Sequence, residues 1–327
     1  MAPPQTILEL ANGYVASRAL QVLAEVGVAD AVDGSRSVEE IAADTGVDAD
    51  ALNRLLRLLE SHGIFRSRDG RWEHTDASRL LRSDHPRSMR AFARMVGMPF
   101  GWEPFTNLER NLRTGEPEIY RMNPDGLFGY LNAHPDQLKI FQASMVSKAQ
   151  QDIQAVLQAY DFSKFRRVVD VGGGQGHLLK AIVSAHPDVA GVLFELPEVA
   201  TSIPPTEGIE IISGDFFVDR LPTADAYILM DIIHDWTDDK AIEILKAVEQ
   251  ASHWSEATVL AIQSVLPEGP EPHYSKTLDI LMLTITGGRE RTVSEYRSLF
   301  DAAGLKMDRV VPTQTPFSII EGHNRSG

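Results

Sequence analysis

The 327-residue sequence contains no cysteine. That excludes disulfides, thiolate-held zinc or iron–sulfur clusters, and a cysteine nucleophile. A basic excess is missing too: 31 Lys+Arg face 46 Asp+Glu, for a formal charge of −15. Nucleic acid and anionic membranes are held by cationic side chains, so neither is expected as the main partner. Lysine is absent until Lys139, and residues 1–100 set twelve arginines against fourteen acids, so nearly all the negative charge lies further along. No apolar run approaches the about 18 residues of a membrane-crossing helix. The opening MAPPQTILEL has no basic-then-apolar leader pattern. A cytoplasmic protein with room for two modest cores is expected.

The first part reads as helices and a hairpin. Ile7 to Val32 is apolar around much of a helical circumference, which calls for cover from another domain or chain. Ser37-Val38-Glu39-Glu40 carries a capping-box signature, and that helix should end near Thr45-Gly46. A second helix follows Asp48, with Leu52, Leu55, Leu56 and Leu59 on one face and Gly63 as terminator. Extended runs at Ile64–Arg66 and Arg71–His74 then flank Asp69-Gly70, a hairpin turn. Helix–turn–helix plus hairpin over residues 1–85 is a winged-helix pattern. A DNA reader should be markedly basic on its second helix, whereas Arg54 and Arg57 there are offset by Asp48, Asp50 and Glu60. Packing or dimerisation is the preferred use of this module.

Residues 86–160 read as mostly helical, with aromatic and methionine residues among polar ones. Trp102, Phe141 and Met145 are ordinary core candidates that would contact a substrate only if an active site lies beside them. Phe141 and Met145 share a helix face.

From Asp161 onward, short apolar runs alternate with amphipathic stretches. Strands are expected at 167–171, 191–195, 209–212, 226–230, 258–263, 305–311 and 317–321, with helices between most of them. Such alternation predicts an α/β, doubly wound, mainly parallel sheet covered on both faces, with ligands beyond the carboxyl ends of its strands. The first strand runs into Asp170-Val171-Gly172-Gly173-Gly174-Gln175-Gly176-His177. Glycines there let the backbone pass close to a ligand. A dinucleotide fingerprint would need glycine where His177 stands, and a phosphate-binding loop would need Gly-Lys-Ser/Thr. A nucleoside with a short zwitterionic tail fits better. Glu195 ends the second strand, placed for ribose hydroxyls. Asp215 and Phe216 follow the third, placed for an adenine amine and ring. Met230 ends the fourth.

Asp170-Val-Gly-Gly-Gly-x-Gly, Glu195-Leu-Pro, Gly214-Asp215-Phe-Phe, His234-Asp-Trp-Thr-Asp-Asp and Gly287-Gly-Arg-Glu290-Arg-Thr occur in that order. Together they resemble S-adenosylmethionine-dependent O-methyltransferases of the caffeic-acid type, bacterial natural-product branch, over nearly the whole chain. The resemblance implies a class I methyltransferase domain at 161–327, with S-adenosylmethionine held by Asp170, Gly172, Gly174, Gly176, Glu195, Asp215, Phe216 and Met230. It also implies an intertwined homodimer built by the winged-helix part, and a small aromatic or polyketide-like acceptor.

Methyl transfer from a sulfonium needs alignment and removal of the acceptor's proton, but no metal. A phenol has a pKa of about 10, so a base helps at neutral pH. His234, just beyond the fourth strand, is the candidate. The plainer alternative is that it helps start the next helix, although Thr237 is a better cap, with Asp238 and Asp239 in the first turn. That explanation of the acids leaves no reason to read a metal site from them. His253 and His323 have no comparable context. In the resembled family two acidic positions flank the histidine. One matches Glu290, whose alternative is pairing with Arg289 or Arg291 in an exposed loop; the other aligns with Gln263, a departure that removes a charge. Met230 departs as well from relatives with a basic residue there. Two other readings stay open: a relative that uses the same pocket for hydroxylation, decarboxylation or cyclisation, and a nucleoside-sensing winged-helix regulator.

Overall fold

The computed structural model describes residues 3–252 and 257–325, apart from the side chain of Gln151. His253 lies outside the described residues. The chain divides into two compact units: residues 1–106 with 128–148, and residues 107–127 with 149–327. Among the described residues, no helix is long and apolar enough to cross a membrane.

In the first unit the opening helix, Pro3–Val26, stops sooner than its apolar content suggests. Gly27 adopts a left-handed conformation (φ 79°) and a short helix, Val28–Ala31, follows. The expected capping box is present: the Ser37 hydroxyl accepts from the Glu40 N–H, and the Ser37 N–H donates to the Glu40 carboxylate, opening helix Val38–Thr45. Asp48 accepts from the Ala51 N–H at 2.8 Å and starts helix Ala49–Glu60. Strands β1 (Arg66–Arg68) and β2 (Arg71–Glu73) pair antiparallel across Asp69-Gly70. Both turn residues have positive φ, 50° and 75°, matching the twist of a tight two-residue hairpin. Leu23, Val28, Ile41, Leu56, Phe65 and Trp72 form the core of this part. Most of the residues on the first half of the opening helix stay uncovered, including Ile7, Leu8 and Leu10.

The second unit holds an eight-stranded sheet. Its strands are β3 (Arg167–Val171), β4 (Ala190–Glu195), β5 (Ile209–Ser213), β6 (Ala226–Met230), β7 (Thr258–Leu266), β8 (Arg291–Thr292), β9 (Leu305–Pro312) and β10 (Phe317–Asn324). The order is β5-β4-β3-β6-β7-β10-β9, with β8 alongside β7. β3 to β8 pair in parallel, while β10 runs antiparallel to both β7 and β9. Two apolar clusters fill the faces. One is built on Val169, Phe194, Leu229 and the helices Asp238–Ser252 and Val293–Ala302; the other is built on Val168, Leu193, Ile228 and the helix His177–Ala185. Strand order reverses at β3, because β4 and β5 build out on one side and β6 and β7 on the other. The crevice at the carboxyl ends of β3 and β6 is therefore the expected binding place of an open α/β sheet.

Candidate active site

The turn after β3 is shaped by its glycines. Gly172, Gly174 and Gly176 have φ of 70°, 58° and 69°, values a side chain rarely tolerates. A Cβ at Gly172 would come within 2.7 Å of Ile232. Gly176 then leads straight into helix His177–Ala185. Asp170, inside β3, is 1% exposed, and its carboxylate lies so close under the turn that a Cβ at Gly173 would collide with it. One of its oxygens, Oδ1, is buried with no hydrogen-bond partner. Burial, reinforced by the nearby Glu195 charge, pushes the Asp170 pKa up to about 7. Glu195 ends β4 and accepts from the N–H of Gly174 at 2.8 Å and of Leu196 at 2.9 Å. Burial raises its pKa, and these two hydrogen bonds oppose the rise.

Asp215 closes its own turn, accepting from the Phe217 N–H at 2.8 Å. Phe216 stands edge-on to Phe217 (4.8 Å) and Trp236 (6.2 Å) and reaches the neighbourhood of Gly172. Met230 is half-buried at the end of β6, against the core. The glycine turn, Asp170, Glu195, Asp215, Phe216 and Met230 thus gather at one edge of the sheet. A cationic ligand group suits the partnerless Asp170 oxygen, which is the donor-seeking atom a zwitterionic nucleoside tail would satisfy.

Beyond β6 the chain turns through Asp231, in the left-handed region (φ 56°), into the short 3-10 turn Ile233–Asp235. His234 is 5% exposed. Its Nδ1–H donates to Oε1 of Glu290 at 2.7 Å, and Glu290 is itself buried. Nε2 faces Asp231 at 3.6 Å and Asp235 at 3.8 Å. Burial lowers the imidazole pKa, but Asp235, the Glu290 hydrogen bond and Asp231 together outweigh it and carry the value up to about 9. Glu290 is therefore not spent on the adjacent arginines. Arg289 faces Asp238 and Glu295, and Arg291 bonds Asp238.

Gln263 is brought close in the sheet but does not bond the imidazole. It lies one residue past Ile262, whose carbonyl accepts from the Asp231 N–H, and its own amide donates to the Leu229 carbonyl at 3.1 Å. The carboxylates beside Nε2 come instead from Asp231, to which the sequence assigns no role, and Asp235, which enters there only as one of the acids of a metal site that is set aside. The signal for Asp231 was a lone polar residue inside the apolar run Leu229–Ile233.

Arg291 was missed as well. Fully buried, it donates twice to Asp238 and once each to the carbonyls of Ile233, Trp236 and Arg289. Asp238 stands in the first turn of helix Asp238–Ser252, as read from sequence, and is also the carboxylate that anchors this arginine. Gly288 packs against the same loop so tightly that a Cβ would strike the His234 carbonyl. The Asp279 carboxylate accepts from the Glu290 N–H at 2.9 Å. Of the substrate candidates, Trp102, Phe141 and Met145 all belong to the first unit. There Trp102 lies under the Arg18 guanidinium and Phe141 stands edge-on to Phe100.

Residues 105–306 match the O-methyltransferase domain family, and residues 8–84 match the O-methyltransferase dimerisation domain. The chain belongs to the O-methyltransferase family. Phenazine O-methyltransferase PhzM of Lysobacter antibioticus is 37% identical over 324 residues, covering 96% of this chain and 94% of that protein. O-demethylpuromycin-O-methyltransferase of Streptomyces alboniger is 34% identical, covering 97% and 88%. Among solved structures, CalO1, a methyltransferase in calicheamicin biosynthesis in its SAH-bound form, superposes with a TM-score of 0.88 at 35% identity, covering 99% of this chain and all of that one. The sheet with its N-terminal dimerisation domain is that of the class I methyltransferases, and S-adenosylmethionine is the methyl donor of this O-methyltransferase.

Proposed function

We propose that this O-methyltransferase methylates a hydroxyl of a small aromatic or polyketide-like metabolite in the cytoplasm, as a homodimer, with His234 as general base. The observation that carries the proposal is the buried His234–Glu290 hydrogen bond of 2.7 Å at the carboxyl edge of the sheet. S-adenosylmethionine would be held by the glycine turn, Asp170, Glu195, Asp215, Phe216 and Met230, supplying an electrophilic methyl and a positive charge that favours the neutral imidazole. Glu290 fixes the tautomer with hydrogen on Nδ1, which leaves the Nε2 lone pair to take the acceptor's proton. Gln263 is given a supporting role only, holding the end of β6 through the Leu229 carbonyl. The acceptor class is supported by relatives named for phenazine and for O-demethylpuromycin. Trp102, Phe141 and Met145 are proposed as acceptor-contacting residues, since flat and flexible apolar side chains suit a ring.

The test is incubation with S-adenosylmethionine and a panel of phenolic metabolites, read by product mass. A gain of one CH₂ is expected, and loss of carboxyl or gain of oxygen would replace methylation with another use of the pocket. His234→Asn should lower turnover by about 10²–10⁴-fold, the range of a general base, while S-adenosylmethionine binding stays within a few-fold. Equal loss of both would make His234 structural.

A further inference from the structure

Net methylation of a hydroxyl by a sulfonium releases one proton per turnover, and that proton must reach water before the base can act again. If His234 is the base, on which this inference rests, the proton arrives in a sealed place. The His234 side chain is 6% exposed and Glu290, on Nδ1, is 0% exposed. Two carboxylates stand beside Nε2, the nitrogen that receives the proton. Oδ1 of Asp231 is the nearer, at 3.6 Å, and is itself buried. The Asp231 side chain as a whole is the more open, at 30% exposed, so that solvent meets it on the carboxylate's other side; Asp235 is at 3.8 Å and 22%.

The backbone points the same way. Asp231 holds φ of 56°, a conformation that disfavours every side chain relative to glycine. Strain of this kind persists where a site uses it. Here the left-handed turn is what lets the chain leave β6 and still bring the 231 carboxylate back beside the ring three residues on.

We propose that Asp231 is a second catalytic carboxylate, the group that takes the proton from Nε2 of His234 and passes it to solvent. The N–H bond at Nε2 breaks with its electron pair left on nitrogen, and an O–H bond forms on the Asp231 carboxylate. That acid then gives its proton to water or buffer, restoring the neutral imidazole. The 3.6 Å separation shortens to a hydrogen bond when the ring is charged and the acceptor is in place, as catalytic contacts commonly do.

Asp231→Asn keeps the shape and the tolerance of left-handed backbone but cannot take the proton, and Asp231→Gly relieves the backbone strain outright, so one of the two folds. Because the group acts after methyl transfer, the first turnover by rapid quench, taken at a pH high enough that the imidazole is neutral in parent and variant alike, should run within about threefold of the parent rate. Steady-state turnover should fall at least tenfold, giving a burst of one product per site. A formate or imidazole buffer should restore steady-state turnover in Asp231→Gly. Without cofactor, exchange of the His234 Nε2–H with water, followed by nitrogen-15 NMR, should slow at least tenfold in Asp231→Asn.

Unchanged steady-state turnover overturns the assignment. So does equal loss in the first and later turnovers, or a burst in Asp235→Asn but not in the Asp231 variants. If His234→Asn retains its turnover, the base itself is misassigned. If His234→Asn is inactive while both Asp231 variants turn over normally, only the exit route falls.

Discussion

Two titratable groups dominate at the scale of single residues, and both have pKa values raised by the fold. For His234 the imidazolium is stabilised in the folded state, so its contribution is full below an unfolded pKa of about 6.5 and disappears as the pH rises through about 9. The melting temperature of the protein without cofactor should fall between those limits. Glu290→Gln removes the hydrogen-bonded charge, so it should lower the His234 pKa, flatten that fall, and move the acid limb of kcat to lower pH while reducing kcat. An unmoved limb would show that Glu290 does not act on the base. Asp170 behaves in the same sense at lower pH. Its protonated form is favoured on folding, so stability is present below about 3.9 and is lost as the pH passes about 7. A cation bound at its partnerless oxygen reverses the preference. S-adenosylmethionine should therefore bind more tightly at pH 8 than at pH 6, and calorimetry on Asp170→Asn should show that difference reduced, the remainder belonging to His234.

At the scale of elements, the loop between β6 and helix Asp238–Ser252 is held from the far side by β8. Arg291 supplies five hydrogen bonds, to this loop, to the Arg289 carbonyl just before its own strand and to Asp238. Arg291→Met would leave the Ile233 and Trp236 carbonyls without their donor, a loss of about 1–3 kcal/mol for buried polar groups left unsatisfied, while the half-exposed Asp238 carboxylate turns to water. Denaturant unfolding should show it, and a cost under 1 kcal/mol would mean that the loop holds itself.

These elements also show what could be read in advance. Seven strands of the sheet, the Ser37 and Asp48 caps, the Asp69-Gly70 hairpin and the glycine turn are local signals, each written in neighbouring residue types, and the structure has them; the two-residue β8 is too short to leave such a signal. Glu290 was legible through its motif. Asp231, Arg291 and the added bond of Asp238 to that arginine were not, because they depend on a backbone torsion and on groups brought together from residues more than fifty positions apart. The opening helix was overextended because apolar content continues past Gly27, where only backbone conformation marks the stop.

At the scale of the molecule, Ile7, Leu8 and Leu10 are 69%, 63% and 79% exposed on a helix whose residues from Leu8 onward match a dimerisation domain. Apolar side chains this open are to be covered by a second copy of the chain. Deleting residues 1–30, or combining Leu8→Asp with Leu10→Asp, should convert a dimer to smaller or aggregated species by light scattering; a well-behaved dimer after either change would place the interface elsewhere. Strand β8 carries a different implication for how such an enzyme diversifies. Two residues pair it to β7, Val265 with Arg291 and Leu266 with Thr292, and Gly288 has no room for even a methyl group. Inserting or deleting one residue between Gly288 and Thr292 would rotate Glu290 out of register with the imidazole. New acceptor preferences must therefore arise from mutations elsewhere in the chain, while this short stretch keeps a constant length.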